Sequence, residues 1–301
     1  MKARIKENPD DKHAKNALKK IDQVREIGAK NYRAYLTWDH MDVYVATSMR
    51  ENHQYYAVSK ITREIFGTDK LSSLKLRWFD PTQAYCVSRL DKGLAEALML
   101  KRAICTLYLV QEADSFGKDS ELATTLAQGK VVVAYVPKLS RQNTFVNDLK
   151  TMHQDLFPEL DWLDVLRSQL QLYDPSLAWK DKGIREWLDG SDELDSEDIE
   201  SKLFKTARAV FDKRATLLME QHPLGLQVDL ETGVAHGVLV ARTPEQCAKL
   251  LHATITQRLE FEIKELEDKT LLLKEPISGS VARVVTGDEL LTNAFWNFYP
   301  A

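Results

Sequence analysis

The segment GKDSELATTLAQGK, residues 117–130, places an acidic side chain, Glu121, between two apolar runs. The runs ICTLYLV and VVVAYVP have the nearly continuous apolar character of strands that are buried on both faces. We expect the segment between them to form a short helix with Glu121 in its first turn. An acid in that position either complements the helix dipole or acts as a reactive carboxylate at the sheet edge where ligands bind.

Several common catalytic arrangements are excluded by the sequence. FGKDS resembles the end of a phosphate-binding loop, but Glu112 occupies the place of its first glycine and Asp119 follows the lysine in place of Ser or Thr. The seven histidines show no paired metal-ligand spacing, and there is no G-x-S-x-G nucleophile elbow. We therefore expect neither a metal site nor a cofactor.

Strands and helices alternate along the first half of the chain. Strands are expected at about 43–46, in LKLRWFDP, at 104–110 and at 131–136, with amphipathic helices at about 10–28, 53–66 and 88–102. This order predicts an α/β fold with a parallel, flavodoxin-like or Rossmann-like sheet and helices on both faces. The polar loops TSMRE, FDPTQ and QEADSFGKDSE should then converge at its ligand-binding edge.

The pattern changes after Pro137. Helices are expected in LDWLDVLRSQLQLYDPSLAW, in SKLFKTARAVFDKRATLLMEQH and from Thr243 to about Thr256, with strands in GVLVAR, RLEFEI and SGSVARVVTG. We therefore divide the chain into a lead-in helix (1–38), an α/β domain (39–140) and an α+β C-terminal domain (141–301). The aromatic residues of LTNAFWNFYP, at the end of the chain, are expected to pack in the core rather than to form a docking tail.

Composition and charge limit the partners. The 301 residues are 44% hydrophobic, which allows a packed core. Basic and acidic residues number 41 and 45, and no basic cluster interleaves with aromatics, so nucleic acid is not expected as an obligatory partner. Three cysteines without close spacing, and no apolar run near the roughly 20 residues that span a bilayer, favour a cytoplasmic protein without membrane partners. The composition is also compatible with a homo-oligomer.

The order VYVATSMRE, FDP, DKGLAEALMLKRAICTLYLV and SELATTLAQGKVVVAYVP resembles the nucleoside 2-deoxyribosyltransferase family, over about 95 of the 301 residues. In that family the Glu on the short helix attacks the anomeric carbon of the sugar, and by motif this role falls on Glu121. The resemblance also implies a second acid in the preceding helix, which assists the leaving base. Counting back from Ala103 gives Glu96 for this acid, and a shift of about one turn gives Asp91.

The resemblance extends to substrate binding. Relatives that hydrolyse nucleoside monophosphates hold the phosphate with a Ser and an Arg after the first strand, and Ser48 and Arg50 match these positions. Arginine offers a phosphate a fixed fork of donors. The candidate substrate-binding residues are Thr47, Ser48, Arg50, Asp80, Asp119 and Ser120. Asp119 and Ser120 stand where the family has small glycines, so the chain departs from the pattern there.

Cleavage of an N-glycosidic bond puts positive charge on the ribose and negative charge on the base. The reaction therefore needs an ionised carboxylate and a proton donor. We expect the helix dipole to keep Glu121 ionised, and packing against Leu94 and Leu98 to raise the pKa of the second acid. This interpretation requires Glu121 to face an open crevice and the second acid to reach the same ligand.

A second resemblance is to TIR domains, which share the flavodoxin-like topology. DVYVA is similar to their first strand, and SFGKDSEL is similar to the stretch that carries their Glu. Enzymatic TIR domains use this Glu to release nicotinamide from NAD. Together the resemblances predict N-glycosidic cleavage or transfer by Glu121 on a nucleoside, a nucleotide or, in a bacterial defence or signalling effector, NAD. The other hypothesis is an inactive nucleotide-sensing or scaffold module.

Overall fold

A computed structural model of the chain describes residues 8, 10–112, 115–177, 195–220, 226–229, 232–265 and 271–285. Its helices are α1 (Lys12–Thr37), α2 (Asn52–Phe66), α3 (Asp69–Ser72), α4 (Arg89–Arg102), α5 (Phe116–Ala127), α6 (Gln142–Leu156), α7 (Trp162–Leu177), α8 (Ser196–Glu220) and α9 (Pro244–Ile255). Its strands are β1 (Met41–Ala46), β2 (Trp78–Phe79), β3 (Ala103–Leu109), β4 (Val131–Tyr135), β5 (Leu226–Asp229), β6 (Val234–Ala241), β7 (Glu262–Glu265), β8 (Leu271–Lys274) and β9 (Val281–Val285). A short 3-10 helix spans Pro81–Gln83.

Within the described residues, nine strands form one sheet in the order β2-β1-β3-β4-β6-β5-β9-β8-β7. The strands from β2 to β6 in this order pair in parallel. In the remainder, β5 is antiparallel to β6 and parallel to β9, and β8 is antiparallel to both β7 and β9. The predicted α/β fold with a largely parallel, flavodoxin-like or Rossmann-like sheet is confirmed.

The late strands extend the first sheet and do not form a second one. β6 lies beside β4, with Val238 opposite Val132 and Leu239 opposite Val133. All four side chains are buried, as expected of strands covered on both faces. The domain boundary drawn at residue 140 therefore falls between two strands that hydrogen-bond directly to each other.

Helices cover both faces of the parallel strands. Tyr44 and Tyr108 lie on one face and pack in a core with side chains of α4, α5 and α8. Val43 and Leu107 lie on the other face and pack with side chains of α2 and α9. Successive strand residues point to opposite faces, so both faces of β1 and β3 are buried and their sequences read as continuous apolar runs.

Some elements differ from their predicted bounds. The predicted first helix continues to Thr37, because Tyr32 is buried and Tyr35 packs edge-on against Phe79. β2 is reduced to two residues that pair with β1. Helix α6 is not among the predicted elements, although Phe145, Val146, Leu149 and Met152 recur along it at helical spacing. The segment LTNAFWNFYP lies outside the described residues.

Three structural findings concern membrane spans, metal sites and disulfides. No helix in the described ranges is long and apolar enough to cross a membrane. The same ranges contain no group of three or more His, Cys, Asp or Glu side chains that is able to hold a metal ion. The three cysteines, Cys86, Cys105 and Cys247, are free thiols.

Candidate functional site

Glu121 lies in the second turn of α5, and the prediction that it lies in the first turn was wrong. The helix begins at Phe116, because the Ser115 side chain caps it by accepting a hydrogen bond from the Lys118 amide at 3.3 Å. Asp119 is the acid in the first turn. Since the helix dipole acts mainly within that turn, it gives Glu121 little electrostatic support.

The carboxyl group of Glu121 is held inside the protein by a strand residue. Its Oε1 accepts a 3.0 Å hydrogen bond from the hydroxyl of Tyr44 in β1. Tyr44 is only 1% exposed, and its ring stacks on Phe79 with 5.2 Å between centroids. The second oxygen, Oε2, is buried and has no hydrogen-bond partner in the described structure. Leaving a buried acceptor unpaired costs free energy, so such groups are uncommon.

The surroundings of Glu121 favour its protonated form. Burial, together with the charge of nearby Glu96, raises the pKa of Glu121 to about 8, although the Tyr44 hydrogen bond and the charges of Lys92 and Lys118 oppose the shift. The group is therefore mostly protonated at neutral pH. The prediction that the helix dipole keeps Glu121 ionised is wrong, because desolvation outweighs every favourable interaction.

Glu96 is the acid of α4 that is electrostatically coupled to Glu121. Burial raises its pKa, and an ion pair with Lys92, with 3.5 Å between Nζ and Oε1, acts in the opposite direction. The direction of this shift agrees with the sequence prediction for a second acid. The predicted cause is wrong in detail, because Leu94 and Leu98 are exposed and do not enclose the carboxyl.

Asp91, the alternative second acid, lies at the start of α4. Its amide donates to the Ser88 side chain at 3.2 Å, and its carbonyl accepts a hydrogen bond from Tyr32 at 3.2 Å. The residue is exposed, and its carboxylate makes no hydrogen bond with a described side chain. The structure thus favours Glu96 over Asp91 as the neighbour of Glu121.

The loops after β1 and β3 are joined by a hydrogen-bonded clip built on Gln111. Its Oε1 accepts from the Thr47 hydroxyl at 2.9 Å and from the Ser48 amide at 2.7 Å, and its Nε2 donates to the Ser48 carbonyl at 2.7 Å. The hydroxyl of Thr47 and the backbone amide and carbonyl of Ser48 are therefore already hydrogen-bonded within the protein. Arg50 is exposed, and its amide donates to Oε1 of Gln54 at 2.7 Å.

The other predicted substrate-binding residues make local contacts. Oδ1 of Asp80 accepts hydrogen bonds from the amide and hydroxyl of Thr82, at 2.9 and 2.6 Å. Oδ1 of Asp119 accepts from the Tyr108 hydroxyl at 2.6 Å, and the Ser120 hydroxyl donates to its own helix at 2.8 Å. Helix α5 thus presents Asp119 to a tyrosine of β3 and Glu121 to a tyrosine of β1.

Sequence reasoning missed Tyr44 and Lys118. Lys118 is only 1% exposed, its Nζ donates to the Leu109 carbonyl at 3.3 Å, and it lies 4.9 Å from the centroid of the Tyr108 ring. A signal existed for Tyr44, whose hydroxyl needs a partner inside a buried strand. No comparable signal existed for Lys118, because a lysine on an amphipathic helix usually faces water.

A crevice of about 520 Å³ opens elsewhere, at the carboxyl ends of β3, β4 and β6. Side chains of α2 and α6 line it, together with Tyr173 of α7 and Phe211 of α8. None of the three predicted catalytic acids, Glu121, Glu96 and Asp91, lines this crevice. The requirement that Glu121 face an open crevice is therefore not met here.

Glu112, which follows β3, does line this crevice. Its Oε1 accepts a hydrogen bond from Nε2 of Gln54 at 2.7 Å and lies 3.2 Å from Nε2 of His53. Burial acts to raise the pKa of Glu112, but the hydrogen bonds from His53 and Gln54 outweigh it, and the pKa is lowered. Glu112 and Glu121 lie nine residues apart in sequence. The surroundings of Glu112 favour its ionised form, whereas those of Glu121 favour its protonated form.

Comparison of the chain with protein-family models, with curated proteins and with solved structures finds no match. The resemblances to nucleoside 2-deoxyribosyltransferases and to TIR domains rest on the motif residues alone. They stay predictions, and the function must be argued from the side chains themselves.

Proposed function

We propose that the chain cleaves or transfers the N-glycosidic bond of a nucleoside, nucleotide or NAD, with Glu121 as the group that attacks the ribose. One observation carries the proposal: Tyr44 fixes Oε1 of Glu121, whereas Oε2 is buried without a partner. A buried acid with an unused oxygen and a pKa raised to about 8 is costly as a purely structural feature. Strongly perturbed acids of this kind are concentrated at functional sites.

Each acid has a role in this proposal. Ionised Glu121 forms a bond through Oε2 to the anomeric carbon while the bond from that carbon to the base nitrogen breaks. Glu96 already carries its charge when Glu121 ionises, so it relays to the departing base a proton taken from solvent. Water then releases the sugar in a hydrolase, or a second base accepts it in a transferase. Tyr44 is a positioning residue that holds the Glu121 carboxyl throughout.

The reaction requires the site to open. Oε2 of Glu121 is buried, so the carboxyl must turn, or α4 and α5 must separate, when a substrate binds. Positive charge that develops on the ribose then favours the carboxylate form. We propose a cytoplasmic location, in which free nucleotides and NAD are available as substrates.

Release of free base tests the proposal. The protein is incubated with nucleoside monophosphates, deoxynucleosides and NAD, and free bases and nicotinamide are separated by chromatography. We expect release by the wild type and a loss of about 100-fold or more in Glu121→Gln, which has no carboxylate to attack the sugar. Glu159→Gln, a change of the same type at an exposed turn, is the matched control and should retain the activity.

The substrate that reacts separates the two resemblances. Release of nicotinamide alone favours the TIR-like reaction, whereas release of bases from nucleosides or nucleotides favours the deoxyribosyltransferase-like reaction. Release that persists in Glu121→Gln would remove the basis of the proposal.

A second candidate function is a nucleotide-sensing or scaffold module without catalysis. It is favoured by the absence of Glu121 from the lining of the crevice, since a binding site has no need of that acid. Retention of a ligand by the wild type, without release of base from any substrate, would select this function.

A further inference from the structure

The crevice at the carboxyl ends of β3, β4 and β6 has the size and lining of a small-molecule site. Its volume of about 520 Å³ lies within the range of about 300 to 1,000 Å³ that is typical of ligand pockets. Aromatic side chains from four helices meet in it: Tyr56, Phe145, Tyr173 and Phe211. A ligand with a flat ring system fits such a lining best.

Glu112 supplies an acceptor to this crevice. Its Oε1 is occupied by Gln54 and His53, whereas Oε2 receives no hydrogen bond from a described residue. The side chain keeps 14% of its surface exposed. Because the pKa of Glu112 is lowered, the group is ionised at neutral pH. An ionised oxygen in a largely apolar crevice favours a ligand that brings an N–H donor.

Two cations of the lining are available to a ligand with negative charge. Lys60 and Arg242 are already paired with aspartates, at 2.8 and 2.6 Å. Lys138 and Arg141 also line the crevice, and the structure describes no ion pair or side-chain hydrogen bond for either. Arg141 is the N-cap of α6, whose dipole also attracts negative charge, and Lys138 lies three residues before it. One end of the crevice therefore suits an anion.

We propose that this crevice binds a nucleotide. The base lies among the aromatic side chains and donates an N–H to Oε2 of Glu112, and the phosphate contacts Lys138 and Arg141. The position at the carboxyl ends of parallel strands is the usual one for ligands of such sheets. The site is separate from Glu121 and does not depend on the reaction proposed for that residue.

Isothermal titration calorimetry with two nucleotides tests this site. AMP carries an amino group on its base, whereas purine riboside 5′-monophosphate has the same shape without any N–H on its base. We expect AMP to bind about tenfold or more tightly, since a hydrogen bond to a charged acceptor has this effect. Glu112→Gln should reduce this preference, and Arg141→Ala should weaken both nucleotides equally.

Two substitutions on α6 that leave the hydrogen bonds of Glu112 intact provide a matched pair for this test. Thr144 lies on the exposed first turn of α6 and lines the crevice, whereas Asn147 lies on the same helix, exposed, outside the lining. Thr144→Trp should abolish binding of AMP, and Asn147→Trp should retain it. The same titrations repeated in Glu121→Gln, which cannot consume AMP in the reaction proposed above, measure binding to the crevice without any heat of reaction. No measurable binding of AMP to the wild type, or equal binding by Thr144→Trp, would overturn the proposal.

Discussion

Replacement of Glu121 by glutamine is expected to stabilise the folded protein at pH 9 by about 3 to 5 kcal/mol. The pKa of Glu121 is raised from its ordinary value of 4.5 to about 8, chiefly by burial. The folded state therefore keeps a proton that the unfolded chain releases. The stability that depends on this proton is fully present below the ordinary pKa and is lost as the pH rises to about 8. Glutamine accepts the Tyr44 hydrogen bond and has no such proton to lose.

Urea unfolding at pH 5 and pH 9 measures this effect. The difference between Glu121→Gln and the wild type should be small at pH 5 and large at pH 9. Glu112→Gln is a control of opposite sign, because the pKa of Glu112 is lowered. That variant should be less stable than the wild type at neutral pH, and its deficit should shrink as the pH falls. If Glu121→Gln gave no added stability at pH 9, the desolvation of Glu121 would be disproved.

Base release should increase steeply with pH, because only ionised Glu121 attacks the sugar. With a pKa of about 8, the ionised fraction increases about fiftyfold between pH 6 and pH 8, and kcat/KM should follow it. Tyr44→Phe removes a hydrogen bond that favours the carboxylate and should move the midpoint to higher pH. Glu96→Gln removes a repelling charge and should move the midpoint to lower pH, whatever its effect on the maximal rate.

Profiles of kcat/KM from pH 5.5 to 9.5, recorded by chromatography of the released base, measure these midpoints. Opposite displacements in the two variants would identify the titrating group as Glu121, since a merely structural role of either residue would change the rate without moving the midpoint. Identical midpoints in all three proteins would assign the pH dependence to another group.

The sequence predicts the parallel part of the fold well, because its signal is local. β1, β3 and β4 are continuous apolar runs, and α2 has an apolar stripe at helical spacing. Helix α6 has the same kind of stripe, in Phe145, Val146, Leu149 and Met152, but the sequence prediction does not include it. The sequence predicts β6, β7 and β9 as strands but not β5 or β8, and the place of β6 beside β4 is a long-range pairing that no local pattern encodes.

The candidate site is predictable only in part, for the same reason. Motif order selects Glu121, but the charge state of Glu121 depends on burial and on Tyr44, 77 residues away in sequence. The helix-dipole argument predicts an ionised Glu121, whereas the structure favours the protonated form, because the sequence does not show how far the carboxyl is removed from water. In the sequence Glu112 stands out only as a departure from a phosphate-loop pattern, and its place in the crevice depends on His53 and Gln54 of α2.

The most direct test of the role of Glu121 is mass spectrometry after incubation with a 2′-fluorinated nucleoside. The fluorine slows both formation and hydrolysis of a sugar ester by opposing positive charge on the ribose, so the intermediate can be captured. The account predicts that the peptide containing Glu121 gains the mass of the fluorinated sugar in the wild type and gains nothing in Glu121→Gln. A sugar attached to a different residue, or base released by both proteins without any attached sugar, would contradict it.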